Sequence, residues 1–224
     1  MKKENIGLSG KPKFRDASLF SREQQMRVLV GCETSGKVRE AFRKCGHDAW
    51  SCDLLPADDE SEYHYQCNVH DVMDDSWDLG IFHPPCTRLC NSGVRWLHER
   101  NLWDEMREGA DLFAACLNAP IPRICVENPV MHKHAKAAID GYVEFSQSIQ
   151  PWQFGHGEVK RTCLWLKGLP LLKPTSIVDG REARIHKASP GKDRWKLRSE
   201  TYQGIADAMA DQWGSLDEFQ LAAE

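Results

Sequence analysis

The run Leu79-Gly80-Ile81-Phe82, preceded by Asp78 and ending in His83-Pro84-Pro85-Cys86-Thr87, restricts this chain more than any other stretch. A short apolar run after a carboxylate predicts a strand buried on both faces. Proline cannot donate to a strand ladder, so pairing stops there and φ is held just ahead of Cys86. A cysteine on a stiff turn at the carboxyl end of a buried strand lies where open α/β sheets bind ligands. A thiol so placed has little freedom to lose on meeting a substrate. The plainer reading is a small buried cysteine in a proline turn, so its surroundings must decide.

Those surroundings alternate between strand and helix. Residues 26–30 read as a strand, followed by Gly31-Cys32-Glu33-Thr34-Ser35-Gly36. Residues 37–44 form a helix with Val38, Ala41 and Phe42 on one face, stopped by Gly46. Residues 49–52 are a second strand ending at Asp53, which completes a βαβ unit. A third short strand is expected within 66–72 and a fourth at 78–82. One long amphipathic helix is expected at 99–118, with Leu102, Met106, Phe113 and Leu117 inward. A fifth strand at 123–126 stops at Glu127-Asn128-Pro129. An apolar run at 162–166 and a closing helix at 204–213 finish the pattern. The alternation predicts an α/β fold built on a doubly wound, mostly parallel sheet.

At 224 residues the chain fits one domain with a sizeable core. The expected division is a polar, Lys-rich arm at 1–25, a single catalytic domain at 26–214 with a short basic insert at 168–201, and a tail at 215–224. No apolar run approaches the roughly 20 residues of a membrane helix, and no secretory pattern opens the chain. Nine cysteines without a Cys-x-x-Cys pair then read as reduced thiols in a cytoplasm. The net charge of −4 is uneven, because residues 156–198 hold eleven Lys or Arg against four Asp or Glu. One basic face could meet a polyanion; the alternative is a solvated basic loop.

Gly31 to Gly36 lies between strand and helix, where amides and a helix N-terminus can face a ligand, yet it matches neither common phosphate-binding pattern. Asp53, at a strand tip, can accept hydrogen bonds from a ribose diol or cap a helix. Together they favour a nucleoside-containing cofactor. Glu127 beside a nucleophilic cysteine could hydrogen-bond a heterocycle and protonate its ring nitrogen, or cap the next helix. His64, Cys67 and His70, with Cys86 and Cys90, offer soft metal ligands, but the spacing is no standard zinc pattern and no metal is expected. Trp96, Trp103, Trp152 and Trp165 read as core residues, although Trp96 lies close to Cys86.

Taken in order, these pieces resemble the cytosine-C5 DNA methyltransferases, over roughly residues 26–214. His83-Pro84-Pro85-Cys86 resembles the family's Pro-Cys catalytic motif, and Ser92-Gly93 its tail. Val126-Glu127-Asn128 resembles the Glu-Asn-Val motif, Lys160-Arg161-Thr162 part of an Arg-x-Arg motif, and 203–213 the final helix. The resemblance implies a Rossmann-like, class I S-adenosylmethionine-dependent methyltransferase. It implies catalytic roles for Cys86, Glu127, Asn128 and Arg161. It places S-adenosylmethionine against Gly31, Cys32, Glu33, Ser35, Gly36, Asp53, Leu54, Asp71 and Pro84. The partner implied is DNA with a flipped-out cytosine, touched by Ser92, Arg95, Lys160, Lys192, Arg194 and Lys196. Three departures stand out: the cofactor loop lacks Phe-x-Gly-x-Gly, Pro129 follows Glu-Asn, and Cys163 takes the second arginine's place. Only residues 168–201 fill the place of the family's large target-recognition domain, so short or no sequence context is expected. A compact form of this kind fits a phage or mobile element. The rival readings are the same chemistry on RNA or a free cytidine nucleotide, and a non-catalytic binding protein that keeps the fold.

Overall fold

A computed structural model describes residues 25–184 and 201–215. The expected N-terminal arm, most of the C-terminal tail, and Lys192, Arg194 and Lys196 lie outside the described residues. The helices and strands form in the order β1 (Arg27–Gly31), α1 (Lys37–Lys44), β2 (Asp48–Asp53), β3 (His64–Gln66), β4 (Leu79–Phe82), α2 (Val94–Arg100), α3 (Trp103–Leu117), β5 (Arg123–Asn128), α4 (Lys133–Ala138), β6 (Gln147–Ile149), β7 (Thr162–Lys167) and α5 (Gln203–Trp213).

One seven-stranded sheet has the order β3-β2-β1-β4-β5-β7-β6. The pairs from β3 through β5 are parallel, and β7 runs antiparallel to both neighbours. The α/β, doubly wound, mostly parallel architecture is therefore present. All four residues of β4 are buried, as a central parallel strand covered on both faces must be. One face packs Val28, Val30 and Ile81 against Val38 and Phe42 of α1 and Ile205, Met209 and Trp213 of α5. The other packs Leu29, Phe82 and Val126 against Met106 and Phe113 of α3, with Leu97 of α2 and Ala135 of α4.

Strand order reverses at β1, which has β2 on one side and β4 on the other. Crevices that bind ligands open at such a point, beyond the carboxyl ends of the strands. Here those ends carry the 31–36 loop and the 83–86 turn. His83 N–H donates to the Gly31 carbonyl at 2.9 Å, which ties the two together.

Three local expectations need correction. The third strand comes earlier, at β3. Residues 69–71 instead form one 3₁₀ turn, because the Asn68 side chain accepts from the His70 amide. The long helix expected at 99–118 is two helices, α2 and α3. Asn101 adopts a left-handed conformation (φ 53°) that ends α2, a role Asn fills where Gly is absent. Strand β5 runs on through Glu127 and Asn128. Antiparallel β7 continues to pair with them, Glu127 with Leu164 and Asn128 with Cys163, beyond the point where prolines have already ended β4.

Candidate active site

The Pro-Pro turn is held from the neighbouring strand end. Asn128 Nδ2–H, buried, donates to the Pro84 carbonyl at 2.8 Å. The following segment straps down the rest of the turn. His132 N–H donates to the Leu89 carbonyl at 3.0 Å, and its ring Nε2 meets the Arg88 carbonyl at 2.8 Å. The same ring's Nδ1 accepts from the Ala135 amide and caps α4. Pro84 is buried and Cys86 half-buried, so the thiol stands at the mouth of the turn on a backbone fixed from behind.

Cys90 joins it. The turn closes with Cys90 N–H on the Cys86 carbonyl at 3.0 Å, and Cys90 Sγ lies 3.0 Å from Ser92 Oγ. The hydrogen bond from the Cys86 thiol pulls the Cys90 thiol down to about 5, although burial pushes it up; the Ser92 hydroxyl and the amides of Ser92 and Gly93 add to the lowering. The thiolate is thus favoured on Cys90, with the Cys86 thiol as its leading donor. The sequence reading weighed Cys90 only as a metal ligand. Its spacing of four from Cys86, followed by Ser-Gly, was the available signal.

Glu127 is the centre of a second cluster. His83 Nδ1 lies 3.1 Å from Glu127 Oε2, with side-chain exposures of 8% and 13%. Burial pushes the Glu127 carboxyl up. The His83 hydrogen bond, the charge of Lys160, the charge of His83 and the Thr162 hydroxyl together outweigh it and hold the group below the ordinary carboxylate range. A small cleft is lined by His83, Glu127, Lys160, Thr162, Thr201, Tyr202, Ile205 and Met209. Lys160 and Thr162 reach it because β7 is reversed, so its first residues lie at the edge where the parallel strands end. Arg161, between them, is exposed with its guanidinium 5.8 Å from the Phe145 ring. The cation brought to Glu127 is therefore Lys160, expected instead at nucleic acid.

The loop after β1 is held by the protein's own contacts. Gly31 has no room for a Cβ, which would sit 2.5 Å from the Phe82 ring and 2.8 Å from Val69. Gly36 has φ +68°, and a Cβ there would meet Arg39 and Asp59. Both glycines therefore serve the protein's own packing. Cys32 turns inward, where its hydrogen bond with Cys116 and its burial push the thiol well up. Glu33 Oε1 accepts from Ser35 Oγ at 2.9 Å and from the Val38 amide at 3.1 Å, capping α1. Its Oε2 is buried without a hydrogen-bond partner.

Asp53 ends β2 half-buried, with Oδ1 accepting from the Leu55 amide at 2.9 Å, and Leu54 beside it is 69% exposed. Asp71 is exposed on the 3₁₀ turn. Ser92 and Arg95 are exposed at the start of α2. Trp96, expected in the core, is instead half-exposed between the guanidinium groups of Arg95 and Arg100, each 4.2 Å from its ring. Trp165 is core, whereas half-exposed Trp152 carries Arg181 at 3.7 Å. Of the residues weighed for metal, His64 bonds Ser51 and the Leu55 carbonyl, and Cys67 faces Cys52 at 3.8 Å.

No family model matches the sequence, and no curated protein matches it. Among solved structures, an E. coli prophage-encoded protein described as a DNA modification methyltransferase is similar over 70% of this chain and 53% of its own, at 13% identity and a TM-score of 0.45. The Entamoeba histolytica methyltransferase EhMeth is similar over 75% of this chain and 61% of its own, at 13% identity and a TM-score of 0.44. The chain thus spans between half and two thirds of the length of either.

Proposed function

We propose that this chain is an S-adenosylmethionine-dependent methyltransferase acting on DNA at cytosine C5, with Cys86 as nucleophile. One observation carries the reading. The Pro-Pro-Cys turn and the Glu127-Asn128 strand end stand side by side at the carboxyl edge of the sheet, joined by Asn128 to Pro84 at 2.8 Å and His83 to Glu127 at 3.1 Å. A thiol and a hydrogen-bonded carboxylate on one rigid edge suit addition to a heterocycle.

The crevice between β1 and β4 fits the cofactor. Glu33 has a buried carboxylate oxygen without a partner, suited to an ammonium group. Asp53 lies where a ribose diol can be held, and exposed Leu54 gives an apolar surface for an adenine face. S-adenosylmethionine supplies, when bound, an electrophilic methyl group.

Cytosine C5 is a weak nucleophile until a thiolate adds at C6. Cys86 supplies that sulfur, losing its proton to water as the bond forms. Glu127 stands at the N3 edge, where negative charge develops during addition and a proton must arrive. Asn128 acts on the backbone of the turn and keeps the thiol aimed. A paired base cannot reach the turn, so it flips out at a cost of a few kcal/mol.

The test is covalent trapping on duplex DNA containing 5-fluorocytosine, where fluorine blocks the last elimination. Wild type with cofactor should form an adduct stable to denaturation, and Cys86→Ser none. Wild type that binds the DNA yet forms no adduct refutes the proposal; an adduct only with a free nucleotide moves the substrate away from DNA.

A further inference from the structure

We propose that His83 is the proton reservoir of the site, acting through Glu127; this rests on the cytosine-C5 reading above. Addition at C6 needs a proton at N3. Glu127 is the group beside that nitrogen, but it is surrounded by donors: His83 at 3.1 Å, the Thr162 hydroxyl, and the charge of Lys160. Such an environment keeps the carboxyl ionised, and a carboxylate has no proton to give. The proton must come from a neighbour. Thr162 is a hydroxyl, and Lys160 acts on Glu127 through its charge. An imidazole can both give and take back a proton through a ring nitrogen, and Nδ1 of His83 is the one 3.1 Å from Glu127.

His83 is also placed for nothing else. Its ring is 8% exposed, its Nδ1 faces Glu127, and its Nε2 is buried with no hydrogen-bond partner among the described residues. The backbone leaves it no latitude, since its amide is bonded to Gly31 and Pro84 follows it.

The step balances as follows. As the Cys86 sulfur bonds to C6, its proton passes to water. The C5=C6 electron pair moves to C4–C5, and the C4=N3 pair ends on N3. N3 takes a proton from Glu127, which takes the Nδ1 proton of the His83 imidazolium, leaving a neutral ring protonated at Nε2. The C4=C5 pair would then take the methyl group that bound S-adenosylmethionine supplies, while the N3 pair re-forms C4=N3 and the N3 proton returns to His83 through Glu127. Water takes the C5 proton, that pair forms C5=C6, and the sulfur leaves as thiolate and regains a proton from water. His83 does not touch the base; it is a positioning residue that also stores the proton.

The experiment measures the single-turnover rate of adduct formation on 5-fluorocytosine DNA with cofactor across pH. The charged and titratable groups facing His83 are Glu127 from β5 and Lys160 ahead of β7, with Tyr202 lining the cleft from the start of α5. Wild type should lose rate at high pH, where the proton donated to N3 is exhausted. His83→Asn puts an amide N–H where Nδ1–H stood, so it still orients Glu127 but cannot release a proton. It should be about 10²–10⁴-fold slower, the usual range for acid catalysis, with the falling limb gone. Glu127→Gln should lose the limb as well. A His83→Asn rate and profile equal to wild type would show that the ring only orients Glu127, which overturns the relay. A flat wild-type profile overturns it whether or not the variants fold. Wild type that forms no adduct at any pH defeats the cytosine-C5 reading itself, whereas an adduct with a flat profile defeats the relay alone.

Discussion

Two thiols four residues apart carry different chemistry because one turn separates their surroundings. Cys86 stands half-buried at the mouth of the turn, while Cys90 is 6% exposed and faces donors from Ser92 and Gly93. The Cys86 hydrogen bond leads that lowering, so removing the Cys86 donor should release Cys90 upward. Thiolate absorbance near 240 nm is expected to appear in wild type with a midpoint near pH 5. In Cys86→Ala the midpoint should move to higher pH, because burial remains and the leading donor is gone. An unchanged midpoint would show that Ser92 and the amides suffice. The prolines marked Cys86 as a candidate along the chain; the environment of Cys90 was not legible there, since it depends on which atoms the folded turn aims at its sulfur.

Between elements, one fully buried arginine does most to join α1 to the β2–β3 side. Arg39 donates to Ser51 Oγ at 2.7 Å and pairs with Asp59 and Glu40. Ser51 Oγ in turn meets His64 Nδ1 at 2.8 Å. Asp59 is 38% exposed, so solvent screens that pair and its Coulomb share is small. The larger losses in Arg39→Ala would be the cavity and the buried Ser51 bond. Denaturant unfolding should therefore show a destabilisation of about 2–4 kcal/mol. A value below about 1 kcal/mol would mean that water fills the space and replaces the bonds. The 37–44 helix was readable from its amphipathic spacing. This arginine was not, because a charged residue on a helix reads as solvent-facing until a partner strand covers it.

For the whole molecule, the uneven charge is the property with the longest reach. Residues 156–198 are basic on an otherwise acidic chain. Lys192, Arg194 and Lys196 fall within five residues of one another there. If they contact phosphates, log affinity for duplex DNA should fall linearly with log salt, by about 0.9 per contact. Replacing all three by Ala should flatten that slope and weaken unrelated sequences alike. An unchanged slope with lowered stability would place the segment in the fold and not on DNA. Among the described residues, exposed Arg95 and Arg100 stack on Trp96 of α2, with Arg95 also paired to Glu99.

What the sequence by itself determined is local: β4 and the prolines that end it, the βαβ opening, and α1 to the residue. Each rests on side-chain periodicity or on proline's missing donor, which act within a few residues. The tertiary structure alone decided which groups meet. His83 reaches Glu127, and Asn128 reaches Pro84, across 44 residues. Lys160 and Thr162 arrive only because β7 runs against β5. Strand direction depends on the sheet that a strand joins and not on its own residues. The cluster around Glu127, and the ionised state it imposes, therefore had no signature along the chain.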